Sequence, residues 1–148
     1  MNENKFEEVI QFAIKKEIGS VNFYSRASEM AKYPGTKDLF LELAEEERGH
    51  RKLLEDLTMG KVAEARIESI PDLKISDYMV DVEFRPDISY ADIIRMSMKS
   101  EEASLKMYND LKKGVRDEQL KKLFSFLAQE EAKHKLKFEK IYDDEILK

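Results

Sequence analysis

The sequence contains the same pattern twice, and this duplication limits what the chain can fold into. An offset of 84 residues, the separation of Ile10 from Ile94, aligns the two halves without a gap. The identical pairs include Ile10 with Ile94, Glu17 with Glu101, Tyr24 with Tyr108, Phe40 with Phe124, Leu43 with Leu127, Glu47 with Glu131 and His50 with His134. The halves are therefore predicted to form similar units related by a pseudo-two-fold axis.

Each half is predicted to be a hairpin of two helices, because apolar and small residues recur in it at helical spacing. A proline and a glycine, Pro34 and Gly35, interrupt the first half, and Gly114 interrupts the second. The predicted helices span about 6–32, 37–59, 89–114 and 117–148. We predict an all-α four-helix bundle in a single domain, 1–148, with one hairpin at about 4–60, an irregular crossover at 61–86 and a second hairpin at about 87–148.

Composition excludes several classes of protein. The 148 residues carry a net charge of −5 as interspersed Glu and Lys, which argues against a nucleic-acid partner. No run of about 18 apolar residues could span a membrane and no signal peptide is evident, so a soluble cytoplasmic protein is expected. The chain has no Cys, which excludes disulfides, thiolate nucleophiles, iron–sulfur clusters and rubredoxin-type iron. Any metal ion used for redox chemistry would therefore need ligands other than Cys.

Each predicted apolar seam carries a carboxylate at its centre. An unpaired buried charge would cost several kcal/mol or be neutralised by a shifted pKa, so something must compensate for it. Two divalent metal ions would balance four carboxylates. A histidine follows the carboxylate by three residues on two of the helices, which puts both side chains on one helix face. The predicted metal ligands, and hence the predicted catalytic residues, are Glu17, Glu47, His50, Glu101, Glu131 and His134.

Residues near these six are given supporting roles or none. Tyr24 and Tyr108 lie two turns from a predicted ligand on the same face. Their hydroxyls either bond ligand carboxylates across the bundle or are capped by a backbone partner, as in ordinary core tyrosines. The adjacent acids are predicted to face solvent or to support the ligands from outside, without binding metal: Glu45, Glu46, Glu102 and Glu130. The methionines are predicted to be filler, and no haem is expected.

These motifs resemble the di-iron domain of the rubrerythrins, within the ferritin-like superfamily, over nearly the whole chain. The resemblance rests on the six predicted ligands and on the tyrosine seven residues after the first Glu of each half. It implies that Glu47 and Glu131 bridge two irons, that Glu17 and Glu101 are terminal ligands, and that each iron has one His. Two features depart from the family: Ser104 stands where rubrerythrins have a further helix-C glutamate, and a rubredoxin-like domain is missing.

The resemblance implies an oxidoreductase that reduces hydrogen peroxide or dioxygen with electrons from a separate donor protein. Two iron ions are the expected cofactor, and manganese or zinc could compete for such ligands. A second hypothesis is iron binding as a ferroxidase or a store without a cage, and a third is a metal-free bundle for helix association. A homodimer is expected, because dimers are the commonest oligomers.

Overall fold

The computed structural model describes residues 2–60, 78 and 84–147. These residues form four long helices and a short π-helix: α1 (Asn2–Met30), α2 (Pro34–Gly60), α3 (Tyr90–Gly114), α4 (Glu118–Ile141) and the π-helix Tyr142–Ile146. Helices α1 and α2 pack as one antiparallel pair, and α3 and α4 pack as the other. The predicted all-α four-helix bundle is confirmed. Most of the crossover predicted at 61–86 lies outside the described residues.

Three helix ends differ from the prediction by three residues or more, and the first is the start of α1, which lies at Asn2 rather than near residue 6. The Ser89 side chain accepts a hydrogen bond from the Asp92 backbone N–H at 3.1 Å, which caps the start of α3. Helix α2 begins at Pro34 rather than near residue 37, because proline fits the first position of a helix, where its missing N–H would have no partner. Helix α4 ends at Ile141 and the chain continues as a π-helix, instead of remaining α-helical to the C-terminus.

Two apolar clusters form the core, one towards each end of the bundle. In one cluster Tyr24, Phe40 and Phe138 stack on one another, with ring centroids 5.9 to 6.0 Å apart. In the other, Tyr108 stacks on Phe124 at 6.5 Å. All five rings are almost completely buried. Burial of such large rings stabilises the bundle by about 2 kcal/mol or more each, so the clusters can offset a polar layer between them.

Tyr78, in the predicted crossover, is tied to the bundle. The Tyr78 hydroxyl donates a hydrogen bond of 2.7 Å to Asp110, and the Tyr78 ring packs against Phe12 with centroids 6.0 Å apart. The side chain is buried, and its contacts connect α1 with α3. No helix among the described residues is long and apolar enough to cross a membrane.

Candidate metal centre

The structure brings all six predicted ligands into one layer between the apolar clusters. Helices α1 and α3 each contribute one glutamate, while α2 and α4 each contribute a glutamate and the histidine one turn later. The six are Glu17, Glu47, His50, Glu101, Glu131 and His134, and none is more than 4% exposed. Four carboxylates thus lie in the part of the bundle that water reaches least, and they come from all four helices.

The ligand atoms fall into two overlapping groups. One group contains Glu17, Glu47, His50 and Glu131, and the other contains Glu47, Glu101, Glu131 and His134. Within each group the atoms lie within 4.8 Å of one another. Glu47 and Glu131 belong to both groups, so the geometry offers two neighbouring positions, each with three carboxylates and one imidazole.

Both histidines turn the same ring nitrogen towards the carboxylates. The Nδ1 atom of His50 lies 2.9 Å from Glu131 Oε1 and 3.8 Å from Glu17 Oε2. The Nδ1 atom of His134 lies 3.0 Å from Glu47 Oε1 and 3.6 Å from Glu101 Oε1. The two rings are nearly parallel, at 15°, with centroids 6.1 Å apart. Equivalent nitrogens therefore meet equivalent carboxylates, as the duplication predicts.

Each tyrosine hydroxyl donates to a carboxylate of the opposite hairpin. Tyr24 of α1 donates to Glu101 Oε1, and Tyr108 of α3 donates to Glu17 Oε1. The sequence left two roles open for these hydroxyls, a bond to a ligand carboxylate across the bundle or a backbone partner. The structure shows the bond across the bundle. Burial, followed by the charge of Glu101 for Tyr24 and of Glu17 for Tyr108, raises the pKa of both phenols well above the usual value. The phenols therefore keep their protons and act as donors.

The carboxylates retain oxygens that protein groups do not satisfy. Among the described residues, Oε2 of Glu17, Glu101 and Glu131 has no hydrogen-bond partner. Neither oxygen of Glu47 has one, although both are buried. Buried polar atoms are almost always paired, so a group of unpaired oxygens needs an explanation. Carboxylate oxygens and imidazole nitrogens are suitable ligands for iron, manganese and zinc, and the residues present therefore fit a pair of metal ions.

Without metal, the four carboxylates cannot all be ionised at low cost. Burial, followed by the charge of Glu47, raises the pKa of Glu17 well above its usual value. Burial and the charge of Glu101 do the same for Glu131. For Glu47, burial also acts to raise the pKa, but the adjacent Glu17 and His134 side chains outweigh it and lower the pKa to about 2. In the metal-free protein, protons on Glu17 and Glu131 thus offset the negative charge that bound cations would otherwise balance.

The two histidines differ in charge state. Burial lowers the pKa of His50. Burial acts in the same direction on His134, but the carboxylates of Glu101 and Glu47 outweigh it and raise its pKa to about 10. In the metal-free protein His134 is therefore a cation at neutral pH. The duplicated ligands are identical, so this difference must come from their surroundings.

Of two further neighbours of the centre, the sequence patterns missed Lys16 and singled out Ser104. Lys16 precedes a predicted ligand, and burial lowers its pKa although Glu101, Glu131, Glu17 and Glu47 attract its charge. Its duplicated position holds Ser100, so the repeat did not point to it. Ser104 is 1% exposed and its hydroxyl has no hydrogen-bond partner among the described residues. The structure thus has a hydroxyl, rather than a further carboxylate, at this position.

A bundle with four buried carboxylates and two imidazoles arranged in this way fits a di-iron carboxylate protein of the ferritin-like fold. The family model of rubrerythrin matches residues 8–142, so the chain belongs to the rubrerythrin family, as the resemblance predicted. No curated protein sequence matches the chain significantly.

Two solved structures support the fold. A candidate ferritin-like diiron-carboxylate protein from Thermotoga maritima superposes with a TM-score of 0.75 at 21% identity, covering 97% of this chain and 96% of that one. A hypothetical protein from Pyrococcus furiosus superposes with a TM-score of 0.71 at 29% identity, covering 93% of this chain and 87% of that one. The predicted ferritin-like bundle is confirmed by the first likeness.

Proposed function

We propose that this protein is an oxidoreductase that uses two iron ions to reduce hydrogen peroxide or dioxygen. The observation that carries the proposal is the pair of overlapping ligand groups that share Glu47 and Glu131. Two ferrous ions bound there would supply one electron each, the two electrons that, with two protons, convert hydrogen peroxide to two waters. Membership of the rubrerythrin family supports this class of substrate.

The six residues have distinct roles in this proposal. Glu47 and Glu131 would contribute to both metal positions, since each belongs to both groups. Glu17 and Glu101 are terminal ligands, and each uses one oxygen to accept the tyrosine hydrogen bond and keeps the other for metal. The two remaining ligands are His50 and His134, one for each metal position.

The chain's other residues would orient the ligands and exclude water. A hydrogen bond from a neutral phenol holds a carboxylate in one rotamer, so Tyr24 and Tyr108 limit how far Glu101 and Glu17 can move. The stacked rings at both ends of the layer keep bulk water from the ligands. Because the chain lacks Cys and therefore a rubredoxin-type centre, electrons would come from a separate protein. A cytoplasmic homodimer stays a prediction.

The test is stopped-flow absorption of iron-loaded, reduced protein mixed with peroxide or with dioxygen. We expect rapid oxidation by peroxide, and its loss in the double variant Glu47→Gln/Glu131→Gln, because both shared ligands are removed. The matched control is Glu45→Gln/Glu102→Gln, which makes the same charge change at two exposed positions. Oxidation by peroxide and by dioxygen that is in both cases no faster than that of free ferrous ion would overturn the proposed reaction.

The same samples separate the alternatives. Iron handling predicts rapid oxidation by dioxygen and accumulation of more than two ferric ions per chain. A metal-free bundle predicts no transition metal after purification without chelators, measured by plasma mass spectrometry. The two unpaired oxygens of Glu47 argue against that last alternative, because a bundle selected only for association could bury apolar side chains instead.

A further inference from the structure

The two nitrogens of His134 contact different carboxylates. Its Nδ1 faces the centre, 3.0 Å from Glu47. Its Nε2 points away from the centre and is in hydrogen-bonding contact with Oε2 of Glu46, which comes from α2. Glu46 is not one of the six candidate ligands, and its side chain is 38% exposed. A neutral imidazole has one N–H, so a proton held on Nε2 by Glu46 leaves the Nδ1 lone pair free for a metal.

The duplication identifies the position that should serve His50 in the same way. The residue 84 positions after Glu46 is Glu130, whose charge acts on His50 but whose carboxylate pairs with Lys133 at 3.1 Å. An aromatic neighbour of the His50 ring is Phe126, which packs edge to face on it at 79° with centroids 6.4 Å apart. The duplicated position of Phe126 is Glu42. The surroundings of the two histidines have therefore diverged although the ligands have not.

We propose that Glu46 is a positioning residue for His134 and makes the metal position on that histidine the tighter of the two. The inference rests on the proposed metal centre. An ionised carboxylate that accepts from Nε2–H orients the ring and increases the electron density on Nδ1, which strengthens the bond to a cation. The aromatic edge of Phe126 offers His50 no oxygen acceptor, so this contact cannot increase the basicity of His50 in the same way.

The first test is titration of the metal-free protein with cobalt(II), in competition with a chromophoric chelator. We expect the wild type to bind two ions with unequal affinity. Glu46→Gln should weaken the tighter position by about 10- to 100-fold. Glu130→Gln, the same change at the duplicated position, should alter either affinity by less than about three-fold. Equal effects of the two substitutions, or none from Glu46→Gln, would overturn the inference.

The second test reports on the histidine itself. In the zinc-loaded protein, long-range proton–nitrogen NMR should find the His134 proton on Nε2, with its resonance shifted downfield by the carboxylate. Glu46→Gln should move that resonance upfield while leaving the His50 signals in place, which a general loss of folding would not do. An unmoved His134 resonance contradicts the role of Glu46. A wild type that binds fewer than two cobalt ions contradicts the metal centre, so the two failures are distinguishable.

Discussion

Replacing Glu131 by glutamine should have opposite effects on the metal-free and the metal-loaded protein. The pKa of Glu131 is raised by burial and by the charge of Glu101, from an ordinary value of 4.5. The folded metal-free protein therefore holds a proton that the unfolded chain has released above that pH. By linkage, its stability falls as pH rises, by about 1.4 kcal/mol per pH unit, until the pKa of the folded state is reached.

Glutamine resembles the protonated acid and does not titrate. Between pH 5 and pH 7, the wild type should lose up to about 2.7 kcal/mol of stability from Glu131 that Glu131→Gln does not lose. For a chain of this size, about 1 kcal/mol corresponds to 2–4 °C in Tm, so the variant should melt up to about 5–11 °C higher at pH 7 in the presence of a chelator.

Bound metal should reverse this order, so that the wild type melts at a higher temperature than the variant. At free metal 100-fold above Kd, each position adds about 2.7 kcal/mol, so two positions raise the wild-type Tm by roughly 11–22 °C. Glu131 belongs to both ligand groups, so the variant should lose most of this gain. The assay is differential scanning calorimetry with and without cobalt(II), and Glu130→Gln is the control. A variant that is less stable than wild type without metal, and equally stabilised by it, would refute the reasoning from burial.

Three further measurements test the packing and the protonation of the layer. Tyr108→Phe removes the donor to Glu17 and should lower the stability of the metal-free protein by about 1–3 kcal/mol in urea titrations; an unchanged midpoint would contradict the hydrogen bond. His134, with a pKa of about 10, must lose a proton when Nδ1 binds metal. Calorimetric titrations at pH 7.5 in two buffers of different ionisation enthalpy should therefore detect release of at least one proton per chain, and no release would be inconsistent with this charge state. Phe138→Ala empties a fully buried site and should cost about 3–5 kcal/mol, whereas Leu136→Ala, at a side chain 67% exposed, should stay within about 0.5 kcal/mol.

Periodicity and repetition predicted most of the fold, because both record which residues share a helix face. The misplaced start of α2, at Pro34, shows a limit of treating proline as a break: the same residue is acceptable at the first helical position. The six candidate ligands could be identified because a carboxylate inside an apolar seam is costly without compensation. The contact between Glu46 and His134 could not be identified from the sequence. It joins residues 88 positions apart, and Glu46 is one of three consecutive glutamates.

The sequence by itself determined the four helices, their duplication and the set of six side chains at the centre, because these depend on spacing along the chain. Only the tertiary structure decided which atoms those side chains present to one another. The cross-bundle bonds of Tyr24 and Tyr108, the free oxygens of Glu47 and the unequal surroundings of the two histidines depend on the rotation and axial shift between helices. Packing of the whole core sets that rotation and shift, and no single helix specifies them.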